Sequence, residues 1–179
     1  MCQNNLSRGY VQVYTGNCKG KTTAALGLAF RAAGHGMKTY IGQFMKGQEY
    51  GELKSASMLE PFITIEQFGR ENLIHVTDLP YPGDVSMAEM GLEKCRKAMF
   101  SKDYQIVVFD EICTACFFGL ISLKDVIDVI ETRPVHVEVI FTGRYAPKAV
   151  IDRADLVTEM KEIKHYYEDG VMAREGIER

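Results

Sequence analysis

The chain has 179 residues and a mass of 20.2 kDa, with 46% apolar and 25% charged residues, proportions that fit one globular domain over 1–179 and exclude a disordered or collagen-like chain. Its 21 Lys and Arg against 24 Asp and Glu leave a net charge of −3, which argues against a protein that grips nucleic acid through its phosphates. No apolar run nears the ~20 residues that cross a bilayer, and Met1 to Arg8 carry no signal-peptide core, so no membrane partner and a cytoplasmic location are expected.

Taken in chain order, the elements alternate strand and helix, the pattern of an α/β fold with a mostly parallel sheet flanked by helices. Tyr10 to Tyr14 is a β-rich run that ends in a glycine-rich turn. A helix follows from Lys21 to about Ala33, with Gly34 and Gly36 as its stop. Lys38 to Phe44 and Phe62 to Phe68 are the next strands, and Gly69 to Gly83 reads as a long loop. Ser86 to Glu89 matches a capping box that opens a helix, with Met87, Met90, Gly91, Cys95, Ala98 and Met99 on one stripe as core.

Ile106 to Phe109 is apolar throughout, as a strand buried on both faces should be. Ser122 caps a further helix that Pro134 closes, Val137 to Thr142 is a strand, and Pro147 starts a short helix to about Asp152. Leu156 to Met160 is the last strand, and a charged tail follows from Lys161. The five cysteines, odd in number and unevenly spaced, are expected as reduced thiols; the Cys113-x-x-Cys116 pair lacks two further ligands for zinc.

The most informative segment is Thr15-Gly16-Asn17-Cys18-Lys19-Gly20-Lys21-Thr22-Thr23. Between a strand and a helix, such glycines let backbone N–H groups converge on an anion, and the helix adds its positive end. Lys21 would reach phosphate oxygens, and Thr22 would ligate Mg2+ or Mn2+ through its hydroxyl. Thr15 stands where the motif has its first glycine, and Gly16 follows one position later. Asp110-Glu111 ends the apolar strand as a metal-holding pair does, with Asp110 as the metal ligand and Glu111 as a catalytic candidate. Arg144, in Thr142-Gly143-Arg144, could neutralise a polyphosphate from a third strand end, and Lys46 is a similar candidate. These residues point to a divalent-metal nucleoside triphosphate site whose reaction stays open.

Four blocks, taken with the tail, make the chain similar to the P-loop ATP:corrinoid adenosyltransferases: TGNCKGKTTAALGLAFRAAGHG from Thr15, QFMKG from Gln43 with Gly51-Glu52 after it, VVFDE from Val107, and TGR from Thr142. The last runs on through ADLVTEM from Ala154 and KHYYEDGVMAREGIE from Lys164, so the resemblance covers Tyr10 to Glu178. It implies a RecA-like P-loop NTPase fold in a single domain, and transfer of the 5′-deoxyadenosyl group of ATP to the Co(I) of a reduced corrinoid, with triphosphate leaving. It also implies a homodimer, a flavoprotein reductant, and ATP held in the sense opposite to P-loop hydrolases. Cys18 stands where the family usually has glycine, which predicts either a slightly different loop backbone or an unusual φ at Cys18. The family's aromatic pair is missing from Gly69 to Leu73, and the chain has no Trp; Phe68, Leu73 or Phe117-Phe118 are the substitutes. Another P-loop enzyme, such as a kinase or ATPase, and a non-catalytic nucleotide or corrinoid sensor are the alternatives.

Overall fold

A strand with apolar side chains on both faces needs cover on both sides. Ile106–Asp110 (β4) has it, with all five residues buried. The structure, a computed structural model, describes residues 6–70 and 80–178. In it β4 lies inside a six-stranded parallel sheet with Val11–Thr15 (β1), Thr39–Phe44 (β2), Ile63–Phe68 (β3), Glu138–Thr142 (β5) and Leu156–Glu159 (β6). The strand order is β3-β2-β4-β5-β1-β6. Chain-order neighbours β1 and β2 are thus separated by β4 and β5, and this reversal opens a crevice at the carboxyl ends of the strands.

The helices are Lys21–Ala33 (α1), Gly51–Met58 (α2), Pro82–Phe100 (α3), Ile112–Phe117 (α4), Leu123–Thr132 (α5) and Lys148–Ile151 (α6). Ile106 and Val108 of β4 pack with α1 and α2 on one face, while Val107 and Phe109 pack with α3 to α6 on the other. That division follows from the two-residue period of the strand. Helix α1 buries Ala25, Ala29 and Ala32 against the sheet, with Leu26 and Leu28 packed at the edges, so small side chains occupy the centre of the contact with the strands. On the other face Gly91 of α3 sits under the Phe68 ring, where a Cβ would lie 2.7 Å from ring carbons. Among the described residues no helix is long and apolar enough to cross a membrane.

Ser122 caps α5, its Oγ accepting the Asp125 N–H at 3.1 Å. Ser122→Ala is therefore expected to lower stability by ~1 kcal/mol in urea denaturation, the usual cost of a lost N-cap.

Four expectations need correction. Helix α3 begins at Pro82 rather than at the capping box, with Pro in its first turn and Tyr81 at its N-cap. Proline's fixed φ suits a first turn, and the buried Asp84 is held there by Arg70 through two bonds of 2.6 Å. The expected loop therefore ends at Tyr81, and its residues 71–79 lie outside the described residues. Helices α2 and α4 have no counterpart in the predicted elements. Within the methionine stripe, Met99 is fully buried but Met90 is 52% exposed, because Ala88 and Leu92 take the core positions.

Candidate active site

The phosphate loop joins β1 to α1. Thr15 remains a strand residue, its carbonyl accepting the Met160 N–H at 2.8 Å. The turn falls to Gly16, whose φ of 104° is open to glycine, and a Cβ there would meet the Met160 carbonyl oxygen at 2.3 Å. That is why the motif's first glycine stands one place late. Gly20, at φ 123°, is the second left-handed turn. Cys18 between them is absent from the positive-φ residues, so the expected unusual φ does not occur. The glycines on either side supply the bends, and the Cys18 N–H donates to the Met160 carbonyl at 3.1 Å.

Lys21 is buried, and its Nζ donates to the carbonyls of Gly16 at 3.0 Å and Cys18 at 2.7 Å. The ammonium thus lies across the loop mouth. Burial lowers its pKa, and the nearby Arg144 charge lowers it further against the pull of Glu111. Thr22 donates its hydroxyl to Asp110 Oδ1 at 2.9 Å, which brings together the two residues read as metal ligands.

Asp110 is the hub. Fully buried at the end of β4, its Oδ1 also accepts the Thr142 hydroxyl at 2.7 Å from β5. Its Oδ2 accepts Lys46 Nζ at 2.8 Å from the end of β2, and Gln43 Nε2 at 3.3 Å. Burial alone would lower the Lys46 pKa, but the Asp110 carboxylate, aided by Glu52 and Glu111, outweighs it and the pKa is raised. Glu52 lies 3.8 Å from Lys46 and accepts Gln43 Nε2 at 3.1 Å. Gln43, Glu52 and Thr142 were not singled out from sequence as site residues. Helix α2, which carries Glu52, gave no amphipathic signal, since Ala56 is its one buried residue.

Glu111 follows in the left-handed region at φ 65°, its N–H donating to Thr142 Oγ1 at 2.8 Å. Its carboxylate accepts the Thr114 hydroxyl, whose oxygen in turn accepts the Arg144 N–H at 2.9 Å. Gly143, at φ 135°, permits this approach, for a Cβ would lie 2.7 Å from the Thr114 nitrogen. The ends of strands β4 and β5 are therefore tied together, and the exposed Arg144 lines the same cavity as Glu111. Lys21, Thr22, Thr23, Lys46, Glu111 and Arg144 share the wall of one cavity of ≈ 830 Å³. Asn17 turns away, its Oδ1 accepting the Glu162 N–H at 3.2 Å. Lys19 lines the cavity as well, with its ammonium bonded to the C-terminal residues Ile177 and Glu178.

The oxygen chemistry at this edge suits a hard divalent cation. Mg2+ in nucleotide sites takes one or two carboxylates, phosphate oxygens and water, and the Asp110 carboxylate with the Thr22 hydroxyl 2.9 Å away fits the protein's part of that set.

Comparison with known proteins bears on the reaction. Residues 7–179 match the family described as ATP:corrinoid adenosyltransferase BtuR/CobO/CobP. The chain belongs to the ATP:corrinoid adenosyltransferase family. It is 35% identical to the corrinoid adenosyltransferase CobA of Salmonella typhimurium, over 99% of this chain and 89% of that one. It is 34% identical to the corrinoid adenosyltransferases of Pseudomonas aeruginosa (96% of this chain, 84% of that one) and Escherichia coli K12 (96% and 86%). A solved KaiC-like protein of Pyrococcus horikoshii superimposes with a TM-score of 0.59 at 14% identity, over 89% of this chain and 76% of that one, which supports the RecA-like P-loop fold.

Within this adenosyltransferase family member, the substitutes for the missing aromatic pair separate. Phe68 is core, 5% exposed and packed against Phe44, and Leu73 lies outside the described residues. Phe118 packs against the core, whereas Phe117 is 57% exposed and stacks on Tyr145, itself exposed, with centroids 4.1 Å apart. Tyr145 neighbours Arg144 and sits at φ 59°, an uncommon conformation for a bulky residue. The four described cysteines are free thiols, and burial pushes Cys113 up to about 12.

Proposed function

We propose that this protein transfers the 5′-deoxyadenosyl group of ATP to the Co(I) of a reduced corrinoid, with triphosphate as the leaving group. The observation that carries this reading is the convergence of Lys21, Thr22, Asp110 and Arg144 on one phosphate cradle in a chain of the adenosyltransferase family. In the reaction a cobalt–carbon bond forms at C5′ as the C5′–oxygen bond breaks, and its electron pair leaves on the triphosphate. Cobalt is the nucleophile, so the protein has no water to activate. Its tasks are alignment and stabilisation of charge on the departing oxygens.

The loop from Thr15 to Thr23 presents backbone N–H groups to the phosphates, while Lys21 and Arg144 add positive charge. Thr22 and Asp110 would hold a Mg2+ or Mn2+ ion, which when bound supplies further positive charge to the triphosphate. Glu111, tied to Thr114 on the same cavity wall, adds negative charge near Lys21 and has no water molecule to activate. The exposed Phe117–Tyr145 stack beside Arg144 offers an apolar face for the corrin ring. A single nucleotide-binding domain over 1–179, a homodimer, a cytoplasmic site of action and a flavoprotein electron donor complete the proposal.

The test is incubation with ATP, Mg2+ and chemically reduced cobalamin. The expected products are a light-sensitive alkylcobalamin, seen in the visible spectrum, and inorganic triphosphate in equal amount. EDTA is expected to slow the reaction at least ~10²-fold, since a bound divalent ion is worth several kcal/mol of charge stabilisation. ADP with phosphate, or a phosphorylated acceptor, would reassign the protein to another P-loop chemistry. Binding of both substrates without any product would make it a sensor.

A further inference from the structure

The segment after β6 returns to the phosphate loop. Besides the Met160 and Glu162 contacts already described, Lys19 Nζ donates to the Ile177 carbonyl at 2.7 Å and to Glu178 Oε1 at 2.8 Å. The same Glu178 carboxylate accepts the Arg174 N–H at 2.9 Å, the Arg174 guanidinium at 3.3 and 3.4 Å, and the Tyr166 hydroxyl. Arg174 in turn lies 5.0 Å over the Tyr166 ring. His165, Gly176, Ile177 and Glu178 line the same cavity as the phosphate loop.

A lone exposed ion pair is worth at most ~1 kcal/mol, but this is a different case. Donors from three side chains and one backbone group meet on one carboxylate, and they join parts of the chain 159 residues apart. The segment has little apolar anchoring of its own: Ile163 is 90% exposed, and Met172, Tyr167 and Ile177 are all more than half exposed. With so little hydrophobic burial to seat it, polar contacts must fix its position. The three cationic and hydroxyl donors, Arg174 first, hold Glu178 well below the usual carboxylate range, so it stays charged at any working pH.

We propose that Glu178 is a positioning residue for the nucleotide: by clamping Lys19 it seats residues 165–178 as a wall of the ATP cavity, and Lys19 is the anchor of that wall instead of a phosphate ligand. This rests on the reading that the cavity takes ATP. It assigns a physical role to the GIE block at Gly176 to Glu178, which the phosphate chemistry leaves unused.

A double-mutant cycle tests it. The dissociation constant for ATP with Mg2+ is measured by calorimetry without corrinoid, for wild type, Lys19→Met, Glu178→Gln and the double variant. Tryptic cleavage after the exposed Lys164 is followed in parallel, and adenosylation of cob(I)alamin is assayed in the same preparations. Each single variant is expected to weaken ATP about tenfold and to speed cleavage after Lys164. The double variant should be no weaker than either single one, and in the adenosylation assay the loss should fall on KM for ATP more than on kcat. Additive losses would overturn the clamp, as would wild-type ATP affinity in Glu178→Gln. Tighter ATP binding in Glu178→Gln would overturn it too, and would make Lys19 a phosphate ligand that Glu178 competes for. A wild-type protein that binds no ATP would instead overturn the reading of the cavity, and the clamp with it.

Discussion

Lys21→Ala is expected to lower kcat/KM for ATP by about 10³-fold, with the far-ultraviolet circular dichroism spectrum kept. The size follows from removing a preorganised charge that meets the leaving group, a loss of ~3–4 kcal/mol in transition-state stabilisation. The fold should survive because the Lys21 ammonium is bound only by the Gly16 and Cys18 carbonyls at the cavity mouth, where water can replace it. Burial disfavours its charged form, so the unfolded chain binds the proton more tightly than the folded one. Stability from this residue therefore rises with pH between the lowered folded pKa and the ordinary lysine value. Urea midpoints followed with rising pH up to the ordinary lysine pKa of 10.5 should show that rise in wild type and its loss in Lys21→Ala. Normal turnover in the variant would remove the phosphate role of the loop.

Asp110→Asn has the second large effect, and it falls on stability as well as on rate. The amide keeps an acceptor oxygen for Thr22 and Thr142, which bond Oδ1 at 2.9 and 2.7 Å. What it loses is the charge facing Lys46, whose ammonium lies 2.8 Å from Oδ2 with its side chain only 16% exposed. Breaking a buried ion pair from one side costs ~3–5 kcal/mol; Glu52, 3.8 Å from Lys46, keeps part of the compensation, so the low end of that range is expected, and the Lys46 pKa should fall from its raised position. Urea denaturation measures the first effect. Turnover should drop at least ~10²-fold, the scale of losing one electrostatic stabiliser. Because deleting a whole buried pair is often near neutral, Asp110→Asn with Lys46→Met should recover much of the stability and none of the activity. A single variant as stable as wild type would dismiss Asp110 as the hub.

The sheet and the loop were legible in the sequence because their signals are local. Ile106 to Phe109 could only be a two-sided strand, and a glycine-lysine turn between strand and helix has few other uses. Thr22, Asp110 and Arg144 were readable for the same reason: each sits at the end of an element that periodicity defines. The hub around Asp110 was not readable, because its partners come from α1, β5 and the end of β2, and a hydroxyl such as that of Thr142 has no periodic mark. Ser86 misled because a capping pattern inside a helix looks like one at its start, and Pro82 four residues earlier decided the true beginning. Outside the family resemblance, the tail was read as charge and turns. Its order depends on Lys19, far away in the chain, and nothing in residues 161–178 announces that partner.

The small side chains of α1 have a bearing on how the site tolerates change. With Ala25, Ala29 and Ala32 as its contact surface, the helix rests on the strands at close range, and the reactive lysine and threonine ride on its first turn. A branched residue at any of these alanines would lift that turn like a shim under a beam. A displacement near 1 Å can cost ~10²-fold in rate. Positions that never meet a substrate are thereby drawn into the tolerance of the chemistry, and the inert underside of this helix should prove as unforgiving as the loop that it carries.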